Sequence, residues 1–183
     1  VFRSKPLRPS MLALLIAAFV TAPAAELAAG APQTSIGADK INLARDARIF
    51  ASHATPGDEF KIENAIDGRL ETKWVGEAHP LPFQPANIVI QFNEPQIARR
   101  LVLVSTIFRD RLAFKDAEIY AWTGQSWAGA TPLAVVRGTT NVSTVVELQP
   151  VKTSRLRIRI RDTWREDHSY PRIHEIEVHR AEP

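Results

Sequence analysis

The stretch Asn64-Ala65-Ile66-Asp67-Gly68-Arg69-Leu70-Glu71-Thr72-Lys73-Trp74 decides how the rest of this sequence is read. Asp67-Gly68 is a turn signal in which glycine supplies the backbone freedom. Asp67, Thr72 and the neighbouring carbonyls are hard oxygen donors of the kind calcium prefers. Trp74 is placed to cap a core behind that turn. About a hundred residues later, Pro171-Arg172-Ile173-His174-Glu175-Ile176-Glu177-Val178 reads as a strand that can return to it.

Working outward, short apolar and β-branched runs alternate with turn-forming clusters. The clearest strand is 155–161, Arg-Leu-Arg-Ile-Arg-Ile-Arg, whose strict alternation puts Leu156, Ile158 and Ile160 on one face and four arginines on the other. Further strands are expected over 88–92, 101–104, 117–122, 133–136 and 143–148. Turns are expected at 55–58, 67–68, 79–85, 93–95, 123–125, 137–138 and 149–150, and helix only as a single turn around 61–66. This spacing of short strands is that of a sandwich.

The pattern N-A-x-D-G-x3-T-x-W near the start of a β-rich segment, with an aliphatic-x-Glu-aliphatic-Glu-Val strand at its end, resembles the discoidin family. These are also called coagulation factor 5/8 type C domains. Bacterial family 32 carbohydrate-binding modules share its galactose-binding-like jelly roll. The resemblance covers residues 42–178 and implies an all-β jelly-roll sandwich over 41–180. It also implies a saccharide ligand held by loops at one end, and a structural metal pinning the early loop to the closing strand. The ligands of that Ca²⁺ would be the side chains of Asp67, Thr72 and Glu175 with carbonyls in the loop from Ala65 to Arg69. The competing reading is that Asp67 caps its own turn while Glu175 is solvated.

A pyranose needs an aromatic face for its apolar side and planar donors for its hydroxyls, presented on loops. The candidates are His53, Glu77, His79, Phe108, Arg109, Arg111, Trp164, His168 and Tyr170. Arg109 falls near an arginine often used in the resembled modules. Trp74 and Trp127 are assigned to the core, whereas Trp164, in a charged loop, is the aromatic that packing explains least. The arginine face of 155–161 is read as solvated, with Glu118 and Glu147 as cross-strand partners, against an alternative in which it meets anionic glycans or phosphate.

Composition limits the remaining classes. Arg3, Lys5 and Arg8, the apolar run 11–20 and the small residues Ala22-Pro23-Ala24-Ala25 have the order of a cleaved signal peptide over 1–25, followed by a flexible spacer over 26–40. The apolar run is shorter than the ~20 residues of a spanning helix, so stable membrane insertion is not expected and a periplasmic or secreted product is. There is no cysteine, so no disulfide can staple the termini as in many animal discoidin domains. The leader's three basic residues account for the formal charge of +3, and a balanced remainder argues against nucleic-acid binding.

Enzyme signals are thin. Gly124-Gln125-Ser126-Trp127-Ala128 lacks the last glycine of a nucleophile elbow and sits between β segments, and the five histidines show no zinc spacing. The sequence therefore reads as a non-catalytic glycan- or polysaccharide-binding domain. The alternative is a protein- or lipid-binding adaptor of the same fold, for which 81–83 and 112–114 offer apolar loop tips. A protein partner or homo-oligomer is compatible with either.

Overall fold

The structure is a computed structural model, describing residues 41–77, 84–105, 107–108, 111–112, 114–124, 126–127, 130–164 and 170–180. Its elements are β1 (Arg48–Ala51), the 3-10 turns η1 (Asp58–Phe60) and η2 (Ile62–Ile66), β2 (Trp74–Val75), β3 (Ala86–Ser105), β4 (Ile107–Phe108), β5 (Arg111–Leu112), β6 (Asp116–Ala121), β7 (Ala134–Val136), β8 (Ser143–Asp162) and β9 (Arg172–His179). Strand pairing is antiparallel throughout.

β3 and β8 form the frame. Each is 20 residues long, and they pair in two blocks: 86–91 against 160–155, then 96–104 against 153–143, with the register slipping between. The first block carries β1 on one side and β6 with β7 on the other, and the second carries β9 and then β2. Ile88, Ile90, Leu156, Ile158 and Ile160 from one block join Leu101, Leu103, Val146 and Leu148 from the other in one buried cluster. The two blocks are thus the two sheets of a sandwich, joined by strands that switch sheets at a bend.

The segments 93–95 and 149–150 are expected as turns, yet both lie inside these long strands. Pro95 falls where β3 slips against β8, and Pro150 lies in the second unpaired interval, so neither has to donate to the ladder. Trp74 is fully buried, but Trp127 is only half-buried and stands against Trp122 with ring centroids 5.0 Å apart, which corrects its assignment to the core. Phe114, a loop-tip candidate in the sequence, is fully buried.

Candidate functional site

The early loop meets the closing strand as a web of oxygens. Thr72 Oγ1 lies 2.9 and 2.8 Å from the two carboxylate oxygens of Asp67 and 2.9 Å from the Arg69 carbonyl. Asp67 also accepts the Arg69 N–H at 2.9 Å, capping its own turn. Gly68, at φ 72°, is in the left-handed region, where a side chain is strained, and its N–H donates to Glu175 Oε2 at 2.9 Å. Glu175 reaches this place through a bulge: it pairs with Val104 while Ile173 pairs with Ser105, leaving His174 extra. The shift lets Ile173 and Ile176 both enter the core, and His174 Nδ1 then lies 2.8 Å from the Thr72 carbonyl.

Glu175 is 3% exposed, which overturns the reading of it as solvated. Burial pushes its carboxyl up to about 7, opposed by the Gly68 N–H and Arg45 and reinforced by Asp67 and Glu177. A buried carboxylate held beside a second one fits a hard divalent cation in kind. Among the described residues no three His, Asp or Glu side chains converge on one point. The described side-chain donors are Asp67, Thr72 and Glu175, and carbonyls such as those of Ala65 and Arg69 would have to supply the rest of the ~6–8 oxygens calcium takes. The adjoining hollow of about 530 Å³ is lined by Asp58, Glu59, Glu63, Asp67 and Glu71, with Lys61 and Arg69 as its cations.

Two residues missed in the sequence hold this region together. Asn64 is buried and its amide donates to the carbonyls of Glu59 and Lys73 at 2.9 and 3.2 Å. Asn42 Oδ1 accepts from the Val178 and Ala44 N–H groups at 2.9 and 3.0 Å. Asn64 acts on main-chain groups five and nine residues away and Asn42 on Val178 at 136 residues, and neither contact leaves a pattern to read.

Four of the candidate saccharide residues, His53, Glu77, Tyr170 and Trp164, lie on loops linked by hydrogen bonds. Ser52 N–H donates to the Asn87 carbonyl, and Ser52 Oγ lies 2.9 Å from His53 Nδ1. Thr55 donates through its N–H to Val75 and through its hydroxyl to Gly76, bringing the His53 loop beside Glu77. Gly76 N–H donates to the carbonyl of Pro171, next to Tyr170, whose side chain is exposed. Ser105 ties the Arg172 and Val142 carbonyls, and Thr139 N–H reaches the Lys115 carbonyl. Trp164 closes the chain with Nε1 donating to the Thr139 carbonyl at 2.7 Å and Lys115 Nζ over its ring at 5.4 Å. His53, Glu77, Tyr170 and Trp164 therefore share one connected set of loops. Phe108 and Arg111 belong to the β4–β5 hairpin that follows Ser105. His79, Arg109 and His168 lie outside the described residues.

The arginine face carries more than solvent. Arg159 and Arg161 face Glu118 at 3.9 and 3.8 Å, as the cross-strand reading expects, but Glu147 is in the other sheet and pairs with Arg100 at 2.6 Å. Arg157 lies over the rings of Tyr120 and Trp127, 4.4 and 4.7 Å from their centroids, and Arg155 lies over Trp122 at 5.4 Å. Burial lowers the Arg157 guanidinium from its ordinary value, opposed by Tyr120.

No protein-family model matches the sequence, and no curated protein matches it significantly. Solved structures do. The CBM32-1 and CBM32-2 domains of ZmpB from Clostridium perfringens are similar at a TM-score of 0.64 and 19% identity, over 76% of this chain and 36% of that one. Chitosan-binding module 1 from a chitosanase/glucanase of Paenibacillus sp. IK-5 is similar at 0.63 and 18%, over 76% and 98%. CpGH89CBM32-5 from Clostridium perfringens, in complex with GalNAc-beta-1,3-galactose, is similar at 0.63 and 12%, over 76% and 99%. The likeness is one of fold: the chain shares the β-sandwich of these modules, the fold expected from residues 64–74 and 171–178.

Proposed function

We propose that this protein is an exported, non-catalytic carbohydrate-binding domain that recognises a saccharide with the loops at one end of the sandwich. The observation that carries this reading is the chain of hydrogen bonds that links the loops bearing His53, Glu77, Tyr170 and Trp164. The likeness in fold to modules described with chitosan or GalNAc-beta-1,3-galactose supports it. Tyr170 offers an exposed ring to the apolar face of a sugar. Trp164 has committed its indole N–H to Thr139, so its share is the ring alone. His53 and Glu77 supply polar groups, with Phe108, His79, Arg109 and His168 as the further residues assigned to the site. A shallow surface of this kind buries little area, so affinity for a single sugar is low and gains from multivalency.

Calcium belongs to the same reading as a structural ion under the early loop, held by Asp67, Thr72, Glu175 and the loop carbonyls. When bound it supplies positive charge to a buried carboxylate. The burial of Phe114 removes one of the two apolar tips that an adaptor would use.

A glycan array probed with the protein, with and without Ca²⁺, tests the proposal. Binding to a saccharide is expected, and titration of Trp164→Ala against the best ligand should show affinity lower by ~1 kcal/mol, the scale of an aromatic contact beyond its area. Equal affinity would remove Trp164 from the site. Absence of binding to any glycan would favour the adaptor.

A further inference from the structure

The outer face of the sheet formed by β1, β3, β8 and β6 carries two cross-strand rows that the loop site does not use. One runs Phe50, Val89, Arg157, Tyr120, and the other Arg48, Gln91, Arg155, with Trp122 N–H bonded to the Arg155 carbonyl. Neither row contains a carboxylate. Arg159 and Arg161, farther along β8, share the single carboxylate of Glu118 with Arg137, whereas Arg155 and Arg157 have aromatic rings as neighbours and no carboxylate within 4 Å among the described residues, Glu118 acting on Arg157 from farther off. Arg157 lies over the rings of both Tyr120 and Trp127, and its Nε is buried without a hydrogen-bond partner. A guanidinium held by two rings is pre-organised, and its terminal Nη groups remain to meet an oxyanion. Phe50, in the same row, is 51% exposed, so its ring is open to a partner.

We propose that this face is a second binding surface, for an acidic saccharide chain, with Phe50 beneath a sugar ring and Arg157, flanked by Arg155 and Arg48, on its carboxylate or sulfate. Phe50 and Arg157 are separated by two strand spacings, ~10 Å, which a short oligosaccharide lying across the strands spans. The excess of arginines on this face over the carboxylate of Glu118 calls for an anionic partner. The open aromatic ring beside them favours a pyranose over a bare phosphate chain. The choice of a saccharide as carrier of the anion rests on the proposed function, but the surface is separate from the loops.

The test uses the protein against heparin, polygalacturonate and a neutral polysaccharide, with single-stranded DNA as the competing polyanion. Expected are salt-sensitive binding to heparin or polygalacturonate, a loss of tenfold or more in Arg157→Gln, a smaller loss in Arg157→Lys, a loss in Phe50→Ala, and no change in Arg159→Gln. The two acidic polymers distinguish sulfate from carboxylate. Near-ultraviolet circular dichroism of each variant reports whether the Trp122–Trp127 pair is intact, and neutral-glycan binding at the loops should be unaffected by Arg157→Gln. Acidic-polymer binding that survives Arg157→Gln, or that ignores Phe50→Ala, overturns the proposal. So does DNA binding of equal strength and equal sensitivity to both substitutions. If no neutral glycan binds while the acidic polymer still depends on Arg157, the loop reading fails and this surface stands.

Discussion

At the level of single residues, the most consequential group is Glu175. Its carboxyl is pushed up to about 7, above the ordinary carboxylate range, so folding favours the protonated form. Its contribution to stability is then complete at low pH and lost as pH rises from about 4.5 through about 7, by at most ~3 kcal/mol for a shift of this size. Thermal unfolding in chelator should therefore show a stability loss between pH 5 and 8 that Glu175→Gln removes, since the amide keeps an acceptor for Gly68 N–H. A calcium ion acts in the opposite sense by favouring the charged form, so its stabilisation should grow over the same interval. Asp67→Ala should abolish any calcium-dependent rise in melting temperature, and should itself cost ~0.5–1.5 kcal/mol by removing the acceptor of Arg69 N–H, while Thr72 keeps the Arg69 carbonyl. Chelator that leaves the wild-type melting temperature unmoved at pH 8 would mean that hydrogen bonds alone hold the loop. The oxygen donors of this region are legible in the sequence because turn chemistry fixes Asp67 and Thr72 locally. The tie from Asn42 to Val178 and the packing of Arg157 are not legible because their partners lie far along the chain, and the role of Asn64 is not because its acceptors are main-chain carbonyls brought to it by the folded loop. Trp127 is misread for a related reason: outside a regular strand, no alternation tells which face a side chain takes.

Among the elements, alternation reveals what is half-buried and conceals what bends. The 155–161 pattern identifies its strand and its buried face, and Leu156, Ile158 and Ile160 are all fully buried. The continuity of β3 and β8 is hidden because Pro95 and Pro150 are turn residues in most contexts, and only the pairing of the two strands tolerates them. β1 and β2, at four and two residues, are too short to carry a period. Ile158 pairs with Ile88 on one side and Ile119 on the other, in the middle of the first sheet. Ile158→Ala should therefore cost ~2–5 kcal/mol, the range for large-to-small changes in a close-packed core. Urea unfolding should show a lower midpoint with an unchanged slope. A cost under ~1 kcal/mol would mean that the space between the sheets is loosely filled.

On the scale of the whole domain, a sandwich without cysteine must close by other means. The start of the described chain is fastened to its last strand by backbone and side chain together. Leu43 N–H donates to the Val178 carbonyl at 2.8 Å, Asn42 Oδ1 accepts the Val178 N–H at 2.9 Å, and Asn42 Nδ2 reaches Glu175 Oε1 at 3.5 Å. Val178 is fully buried, so its N–H has no water to turn to if Asn42 is lost. Because the asparagine lies 136 residues from Val178, this tie closes nearly the whole domain, as a terminal disulfide would. Unlike a disulfide, it leaves the unfolded chain unconstrained, so its contribution is confined to the folded state. Asn42→Ala should then lower stability by ~1–3 kcal/mol, the cost of leaving a buried donor unpaired. Hydrogen exchange locates the effect: amide protection at Val178 should fall by more than the global loss, while Ile158 should follow the global loss alone. Equal changes at the two amides would show that the domain opens as a single unit, with no local role for the asparagine in fastening its first residues to its last strand.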